Sequence, residues 1–283
     1  MALVFVPTPL GNLRDITLRA LDTLRDATLI VAEDSRVAKR LLSAYELPGR
    51  EVWTYHEHNA ATATAAILER ARTELVAVVT DAGMPGISDP GSALVAAARA
   101  AGVPIDVLPG PTAFTSAAVL SGFDLRSLRF EGFPPRGSGE RKALFRAAAA
   151  RPEASVWYES PHRIRATLAD IAAVAPDAQL FLVREYTKMH EQQILGTAAS
   201  IAAAIAEPVR GEIAFVIAPN AAPAAVEPPS TLEIDAAIDT LLLSGATTSA
   251  IAKELAERGM GERHHLYTSV SDRRRAGQHR SEA

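Results

Sequence analysis

Three loops rich in glycine and proline each follow a short apolar run in this sequence. They span residues 8–13, 81–91 and 108–113 and read TPLGNL, DAGMPGISDPG and LPGPTA. Glycine lets a backbone approach a ligand closely, and proline fixes the neighbouring φ, so such loops are rigid. None contains G-x-G-x-x-G or G-x-x-x-x-G-K-[ST], so a dinucleotide or P-loop fingerprint is missing. Each loop alone suits a structural turn, but three loops after strands predict a ligand pocket.

Carboxylates stand where a general base could act. Glu33 and Asp34 follow the second apolar run and precede Arg36, a cation suited to bidentate phosphate contact. Glu159 follows a later run, and a Ser-Pro pair comes directly after it. All three are candidate catalytic residues. Local structure is the alternative, because Asp34 also suits a helix N-cap and Ser160 would cap a helix that starts at proline.

A His-x-His pair follows the third apolar run. His56 and His58 alternate with Glu57 there. Histidine titrates near neutral pH, so this pair could orient a nucleotide or relay a proton. Without a nearby third ligand the pair does not specify a metal site, and we predict no metal.

Apolar runs and helical patterns alternate along the chain, which predicts two α/β domains, the first with a largely parallel sheet. The first domain covers residues 1–111, with a helix behind a cap at Asp15. The second covers residues 112–219. Predicted strands lie at 3–6, 28–32, 51–54, 75–80, 105–108, 129–132, 155–158, 179–183, 192–196 and 212–218. Predicted helices include 60–71, 139–150, 162–173 and 198–206.

The last sixty residues differ from the α/β part. A linker rich in proline and alanine is predicted at 220–229. A small helical module follows over 230–270, either a helix-turn-helix or an ordinary helical hairpin, with Gly259 at a helix C-terminus. Residues 271–283 are expected to be a tail that is disordered from residue 276.

The composition narrows the chemistry. The 283 residues contain no cysteine, which excludes disulfides, thiolate zinc sites and a cysteine nucleophile. A net charge of −4 argues against non-specific coating of nucleic acid but is compatible with a site-specific RNA enzyme. Basic residues cluster at 136–146 and 273–275, where solvated surface is the alternative. The N-terminus lacks a basic leader and no stretch could span a membrane, so we expect a cytoplasmic protein.

An ordered series of short motifs runs through most of the chain. They lie at 7–17, 32–36, 56–59, 80–91, 108–111, 131–133, 158–163, 184–188 and 211–212. In these motifs the chain resembles the tetrapyrrole methylase superfamily, and within it the branch that methylates small-subunit ribosomal RNA. The resemblance implies S-adenosylmethionine bound in a cleft between the two α/β domains. It also implies a homodimer that methylates the 2′-oxygen of a cytidine in the decoding region of 16S rRNA.

The resemblance also implies site residues. The expected cofactor contacts are Pro9, Leu10, Gly11, Asp81, Ala82, Gly83, Met84, Ile87, Pro111, Thr112, Ala113 and Tyr158. The expected RNA contacts are Arg36, His56, His58, Arg163, Arg184 and Lys188, although exposed cations are often only solvated. The chain departs from the family pattern at Met84, Gly86 and Tyr186, where relatives often carry Thr, Leu and Leu.

Two alternatives stay open at this point. A methyltransferase for a tetrapyrrole would use the same architecture, but it would typically carry Gly-x-Gly-Pro-Gly in the first loop and Gly-Asp-Pro in the second. The first two loops of this chain and its helical module favour RNA. A ribosome assembly factor that has lost methyl transfer is the second alternative, and the complete cofactor loops argue against it.

Overall fold

The computed structural model describes residues 2–47, 49–56, 58–89, 91–220 and 230–281. The chain forms two compact units, Met1–Asn220 and Ala221–Ala283. All but the first residue of the predicted linker lies outside the described residues, as do Glu57 and Pro90.

The first sheet contains five parallel strands. They are β1 (Ala2–Phe5), β2 (Leu29–Ala32), β3 (Glu51–Thr54), β4 (Leu75–Val79) and β5 (Ile105–Val107), in the order β3-β2-β4-β1-β5. Helices α1 (Leu18–Asp26), α2 (Ser35–Ala44), α3 (Ala60–Thr73) and α4 (Gly91–Ala100) connect them. Because helices cover both faces, β1, β2 and β4 consist almost entirely of buried apolar residues. The predicted parallel sheet is confirmed.

The cap predicted for α1 at Asp15 is wrong. Asp15 ends a short 3-10 turn, Leu13–Asp15, and the backbone N–H of Asp15 bonds to the carbonyl of Asn12. Thr17 caps α1 instead, because its hydroxyl accepts the N–H of Ala20.

The second sheet is mixed. Its strands are β6 (Leu128–Gly132), β7 (Ala154–Glu159), β8 (Gln179–Arg184), β9 (Gln192–Thr197) and β10 (Ile213–Ile217), in the order β6-β7-β10-β8-β9. Strands β6 and β7 are parallel, and the other three pairs are antiparallel. The connection between β8 and β9 is too short for a parallel pair. The helices of this part are α5 (Ala113–Ser121), α6 (Ser138–Ala149), α7 (Ile164–Val174) and α8 (Ala198–Ala204). The predicted α/β fold class is confirmed.

The helix cap predicted at Ser160 is also wrong. Helix α7 begins at Ile164, and Arg163 holds the N-cap position. The carbonyl of Ser160 accepts the N–H groups of Arg163 and Ile164, so residues 160–163 form a turn before the helix.

The second unit is helical and has its own apolar core. It contains α9 (Thr231–Leu243), α10 (Thr248–Glu257) and α11 (Arg263–Ser281), and α9 starts with a capping box between Ser230 and Glu233. Gly259 follows α10 with a φ of 75°, as a residue after a helix end requires. The prediction of a tail needs correction, because α11 continues to Ser281 and Arg273 pairs with Asp239 at 2.8 Å. Among the described helices, none is long and apolar enough to cross a membrane.

Candidate active site

The three glycine- and proline-rich loops meet at the carboxyl edge of the first sheet. Thr8 and Gly83 exchange two backbone hydrogen bonds of 2.9 and 3.0 Å, which join the first loop to the second. The Thr8 hydroxyl also donates to the carbonyl of Thr80. Gly110 of the third loop lies against Pro7, and a Cβ at Gly110 would stand 2.6 Å from that of Pro7. The loops therefore support one another.

A cavity of about 440 Å³ opens beside these loops, and residues of both sheets line it. That volume falls in the range of pockets for small ligands, about 300–1,000 Å³. The walls from the first sheet and its loops are Leu10, Glu33, Thr80–Met84, Ile87–Asp89, Thr112 and Ala113. The walls from the second sheet are Phe133, Tyr158–Pro161, Val183, Tyr186 and Gly211–Ala214.

Nine of the twelve predicted cofactor contacts line this cavity. They are Leu10, Asp81, Ala82, Gly83, Met84, Ile87, Thr112, Ala113 and Tyr158. The other three are not among the residues that line it. Pro9 is buried, Gly11 packs on Lys188, and the carbonyl of Pro111 lies 3.7 Å from the Cβ position of Gly83.

Several wall residues received no role from the sequence. Phe133, Tyr186 and Glu212 line the cavity, yet they stand far from the three loops along the chain. Each lies in one of the short motifs of the sequence, so these motifs could have indicated that the three residues belong to the site. The motifs did not indicate which side chains face a ligand.

Carboxylates gather at one end of the cavity. Glu33 accepts a hydrogen bond of 3.0 Å from the Thr80 hydroxyl and is one of the residues that line the cavity. Partial shielding from solvent raises the pKa of Glu33, and the nearby charges of Asp81, Asp89 and Asp34 act in the same direction. Partial burial also raises the pKa of Asp81. A carboxylate with a raised pKa is a stronger proton acceptor than an ordinary one.

Asp34 has a different environment from Glu33. Its carboxylate caps α2 by accepting the N–H of Arg36 at 2.8 Å, and it also binds the guanidinium of Arg36 at 2.7 Å. These hydrogen bonds from Arg36 lower the pKa of Asp34 to about 2. Asp34 is not among the described residues that line the cavity. The local interpretation of Asp34 as a helix cap therefore fits its contacts.

Glu159 is buried and fully engaged by neighbours. One carboxylate oxygen accepts the N–H of Ser160 at 2.8 Å, and the other accepts the hydroxyl of Thr167 at 2.6 Å. The guanidinium of Arg163 lies 3.4 Å away. The residue is only 2% exposed although it belongs to the cavity wall. Its contacts hold the turn between β7 and α7.

Tyr158 and its aromatic neighbours form the wall from the second sheet. The Tyr158 hydroxyl accepts the N–H of Phe114 at 3.1 Å. The ring centroids of Phe130 and Phe133 lie 5.0 and 5.7 Å from the ring centroid of Tyr158. Burial raises the pKa of Tyr158 to about 12, so it stays neutral. Trp157 points to the opposite face and packs in the core with Phe145 and Phe215.

A charged cluster includes the cavity residue Glu212. The Lys188 ammonium lies 3.0 Å from carboxylate oxygens of both Glu185 and Glu212. Gly11 packs against Lys188, and the Cβ that an alanine would add there would overlap the lysine Cγ. Asn12 donates its N–H to the hydroxyl of Thr187 at 3.1 Å. The first loop is thereby fixed to the turn after β8, and Lys188 is already neutralised.

The remaining predicted RNA contacts lie outside the cavity. The rings of His56 and His58 stand 5.9 Å apart, and among the described residues no group of three metal-binding side chains is present. Arg163 donates to the carbonyls of Pro134 and Pro135. Arg184 is 9% exposed. These two guanidinium groups are thus engaged or enclosed within the fold.

The basic cluster at 136–146 is not a uniform surface patch. Arg141 is buried and pairs with the equally buried Asp170, to which its Nε donates at 2.7 Å. It also donates to the carbonyls of Pro135 and Arg136. This pair fixes the segment that follows the cavity residue Phe133.

Comparison with known proteins agrees with this architecture. Residues 2–202 match the family described as Tetrapyrrole (Corrin/Porphyrin) Methylases. The chain belongs to this family, which confirms the resemblance that its motifs carry.

Two similar proteins share one name. The chain is 35% identical to ribosomal RNA small subunit methyltransferase I of Streptococcus pyogenes serotype M1 over 95% of this chain and 94% of that one. It is 42% identical to the protein of the same name from Thermotoga maritima, over 69% of this chain and 87% of that one.

A solved structure shares the fold. Uroporphyrin-III C-methyl transferase from Thermus thermophilus, complexed with S-adenyl homocysteine, superposes with a TM-score of 0.55 at 18% identity. The similarity covers 77% of this chain and 97% of that one.

Proposed function

We propose that this protein transfers a methyl group from S-adenosylmethionine to the ribose 2′-hydroxyl of a cytidine in the decoding region of 16S rRNA. The observation that carries the proposal is the cavity lined by both sheets, whose lining residues include Glu33, with its raised pKa, and aromatic side chains of the second sheet. The names of the relatives support the substrate class.

The cavity fits the cofactor in size and charge. Its volume of about 440 Å³ suits one small ligand, and its carboxylates complement a positive sulfonium. The second loop, the 112–113 segment and Tyr158 would hold the cofactor. Gly83, with a φ of 82°, brings backbone groups to the cavity edge. Bound there, S-adenosylmethionine supplies an electrophilic methyl carbon.

Glu33 is the general base in this proposal. A ribose hydroxyl becomes a good nucleophile only as it loses its proton, and the Glu33 carboxylate would accept that proton inside the cavity. The hydrogen bond from Thr80 fixes one carboxylate oxygen and leaves the other for the substrate. Asp34 is the weaker candidate, because Arg36 occupies its carboxylate and its pKa is about 2. Glu159 positions the turn at residues 160–163.

The decisive experiment is transfer of labelled methyl from S-adenosylmethionine to small ribosomal subunits purified from a strain that lacks this protein. Nuclease mapping should find one labelled 2′-O-methylcytidine. Label on a base, or no label in RNA despite cofactor binding, would contradict the proposal. A tetrapyrrole acceptor should be tested in that event. Failure to bind the cofactor at all would favour a non-catalytic assembly factor.

Replacing Glu33 by glutamine tests the base. We expect the turnover number to fall by about 10²–10⁴-fold, the usual contribution of a general base. Asp34→Asn is the matched control and should change turnover far less. If Glu33→Gln kept the rate of the unmodified enzyme, or if Asp34→Asn fell as far, the assignment would be wrong.

The stability of the Glu33→Gln protein provides a second readout. The folded protein favours protonated Glu33, since its pKa is raised. As pH rises from the ordinary glutamate pKa through the raised one, ionisation of Glu33 therefore lowers the stability of the unmodified protein. Glu33→Gln removes this effect, so its thermal midpoint at neutral pH should equal or exceed that of the unmodified protein. A lower midpoint would indicate a structural role.

We also propose that the enzyme is a cytoplasmic homodimer. The absence of cysteine fits a reducing compartment, and Val119 and Leu120 on α5 are exposed apolar residues that a second subunit could cover. Sedimentation equilibrium measures the oligomeric state directly. A monomer at micromolar concentration would contradict this part of the proposal.

A further inference from the structure

Helix α2 carries three cations on one face. Arg36, Lys39 and Arg40 are spaced i, i+3 and i+4, which places their side chains side by side on a helix. All three are exposed, and the Arg36 side chain is 86% exposed although its guanidinium pairs with Asp34 at 2.7 Å. Among the residues that the structure describes, no carboxylate lies within ion-pair distance of Lys39 or Arg40. The opposite face of α2 is apolar and buries Ala38 and Leu42.

This basic face stands beside the acidic end of the cavity. Helix α2 follows β2, so its N-terminus lies at the carboxyl edge of the sheet where the cavity opens. The backbone N–H of Asp34, the cap of α2, donates to the cavity residue Asp81 at 3.3 Å. The charge of Arg40 also lowers the pKa of Asp81, against the larger effect of burial. The cations are therefore near the cavity edge.

The two charge patterns have complementary consequences for a polyanion. Glu33, Asp81 and Asp89 line the cavity and would repel a phosphate that entered it. An uncharged ribose can enter, but the phosphates on either side of it must stay outside. Helix α2 presents exposed cations beside this acidic end. Arginine binds phosphate through paired N–H donors, and lysine binds it as a point charge.

We infer that Arg36, Lys39 and Arg40 form a binding surface for the RNA phosphates that flank the nucleotide in the cavity. The inference rests on the proposed function, because it takes RNA as the substrate. It assigns Lys39 and Arg40 a role that the motifs do not indicate. It also explains how a protein with a net charge of −4 can hold RNA through a local surface.

The test is the double variant Lys39→Gln, Arg40→Gln. Glutamine is a good helix former, and both positions are exposed, so the fold should persist. The matched control is Arg99→Gln, Arg146→Gln, which removes the same charge from the last turns of α4 and α6. Those turns lie at the opposite edge of the two sheets. Circular dichroism and the affinity for S-adenosylhomocysteine should be unchanged in both double variants.

Binding of a fluorescein-labelled single-stranded RNA is then measured between about 50 and 200 mM salt. Each lost phosphate contact should reduce the slope of log Kd against log salt by about 0.7, so the double variant should lose roughly 1.4. The control should keep the slope of the unmodified protein. Equal slopes in all three proteins, equal losses in both variants, or no RNA binding by the unmodified protein would overturn the inference.

The measurement is independent of methyl transfer. If the unmodified protein binds RNA through α2 but labels no ribose, the surface stands and the proposed reaction fails. If it labels ribose and the Lys39→Gln, Arg40→Gln variant binds RNA as tightly as the control, the reaction stands and the surface fails.

Discussion

Replacing Glu159 by glutamine separates a positioning role from a catalytic one. In the native protein the two carboxylate oxygens accept from Ser160 and Thr167. Glutamine keeps one acceptor for the Ser160 N–H, and its amide can donate to the Thr167 hydroxyl once that hydroxyl rotates. The charge next to Arg163 is lost. We therefore expect Glu159→Gln to lower the free energy of unfolding by only about 1–2 kcal/mol.

Glu159→Ala should be far worse. It leaves the Ser160 N–H and the buried Thr167 hydroxyl without their acceptor and removes the carboxylate beside Arg163, which keeps its bonds to the carbonyls of Pro134 and Pro135. We expect a cost of about 3–5 kcal/mol. Urea unfolding followed by intrinsic tryptophan fluorescence measures both variants. Thr167→Val is the control, because it removes one partner of Glu159 without changing any charge.

Activity then decides the role of Glu159. If Glu159 only positions the turn, methyl transfer per folded molecule at saturating substrate should fall less than about tenfold in Glu159→Gln, well below the effect of losing a general base. A loss of more than about 100-fold in kcat, with unchanged KM and near-native stability, would refute this reasoning and make Glu159 a catalytic residue.

Two further predictions concern packing around the site. Gly11→Ala should destabilise the protein by about 1–3 kcal/mol and weaken cofactor binding, because the new methyl group must displace Lys188. The control is Gly139→Ala, where nothing lies within 4 Å of the added methyl group, and it should be neutral or stabilising. Urea unfolding and calorimetric titration of the cofactor measure both variants. Asp170→Ala should cost about 3–5 kcal/mol because it leaves a buried guanidinium without its partner, whereas Asp124→Ala breaks an exposed ion pair and should leave the urea midpoint unchanged. Equal effects within either pair of variants would contradict the burial argument.

Most of the fold could be predicted from the sequence because buried strands and buried helix faces require recognisable patterns of apolar residues. The runs at 29–32 and 75–79 are almost wholly apolar and form central parallel strands, as both-faced burial requires. All ten strands lie within two residues of their predicted ends. The caps were harder, since Asp15 and Thr17 both suit the position, and only the 3-10 turn that occupies Asp15 decides between them. The tail was predicted from its position at the chain terminus, which does not exclude a helix.

The loops of the site could also be predicted from the sequence, but the hydrogen-bond and ion-pair partners of its polar side chains could not. Arg141 belongs to a basic stretch, and its neutralising partner Asp170 lies 29 residues further on, on another helix. Lys188 was expected to contact RNA, yet two carboxylates on different segments hold it. Such pairs have no period, because they depend on which segments the fold brings together.

Some glycines indicate where distant segments of the chain lie in close contact. Gly11 leaves room for the Lys188 stem, and Gly211 leaves room for the Glu185 side chain, which a Cβ would overlap. Each glycine thus marks a close contact between distant segments, although the sequence does not show which side chain approaches it. The candidate base illustrates the same limit. Glu33 and Asp34 are adjacent and chemically alike, and the choice between them depends on Thr80 and Arg36. Glu33 lines the cavity and accepts from Thr80, whereas Arg36 occupies the carboxylate of Asp34. The sequence therefore offered Glu33, Asp34 and Glu159 as candidate bases, and only side-chain contacts distinguish the environments of Glu33 and Asp34.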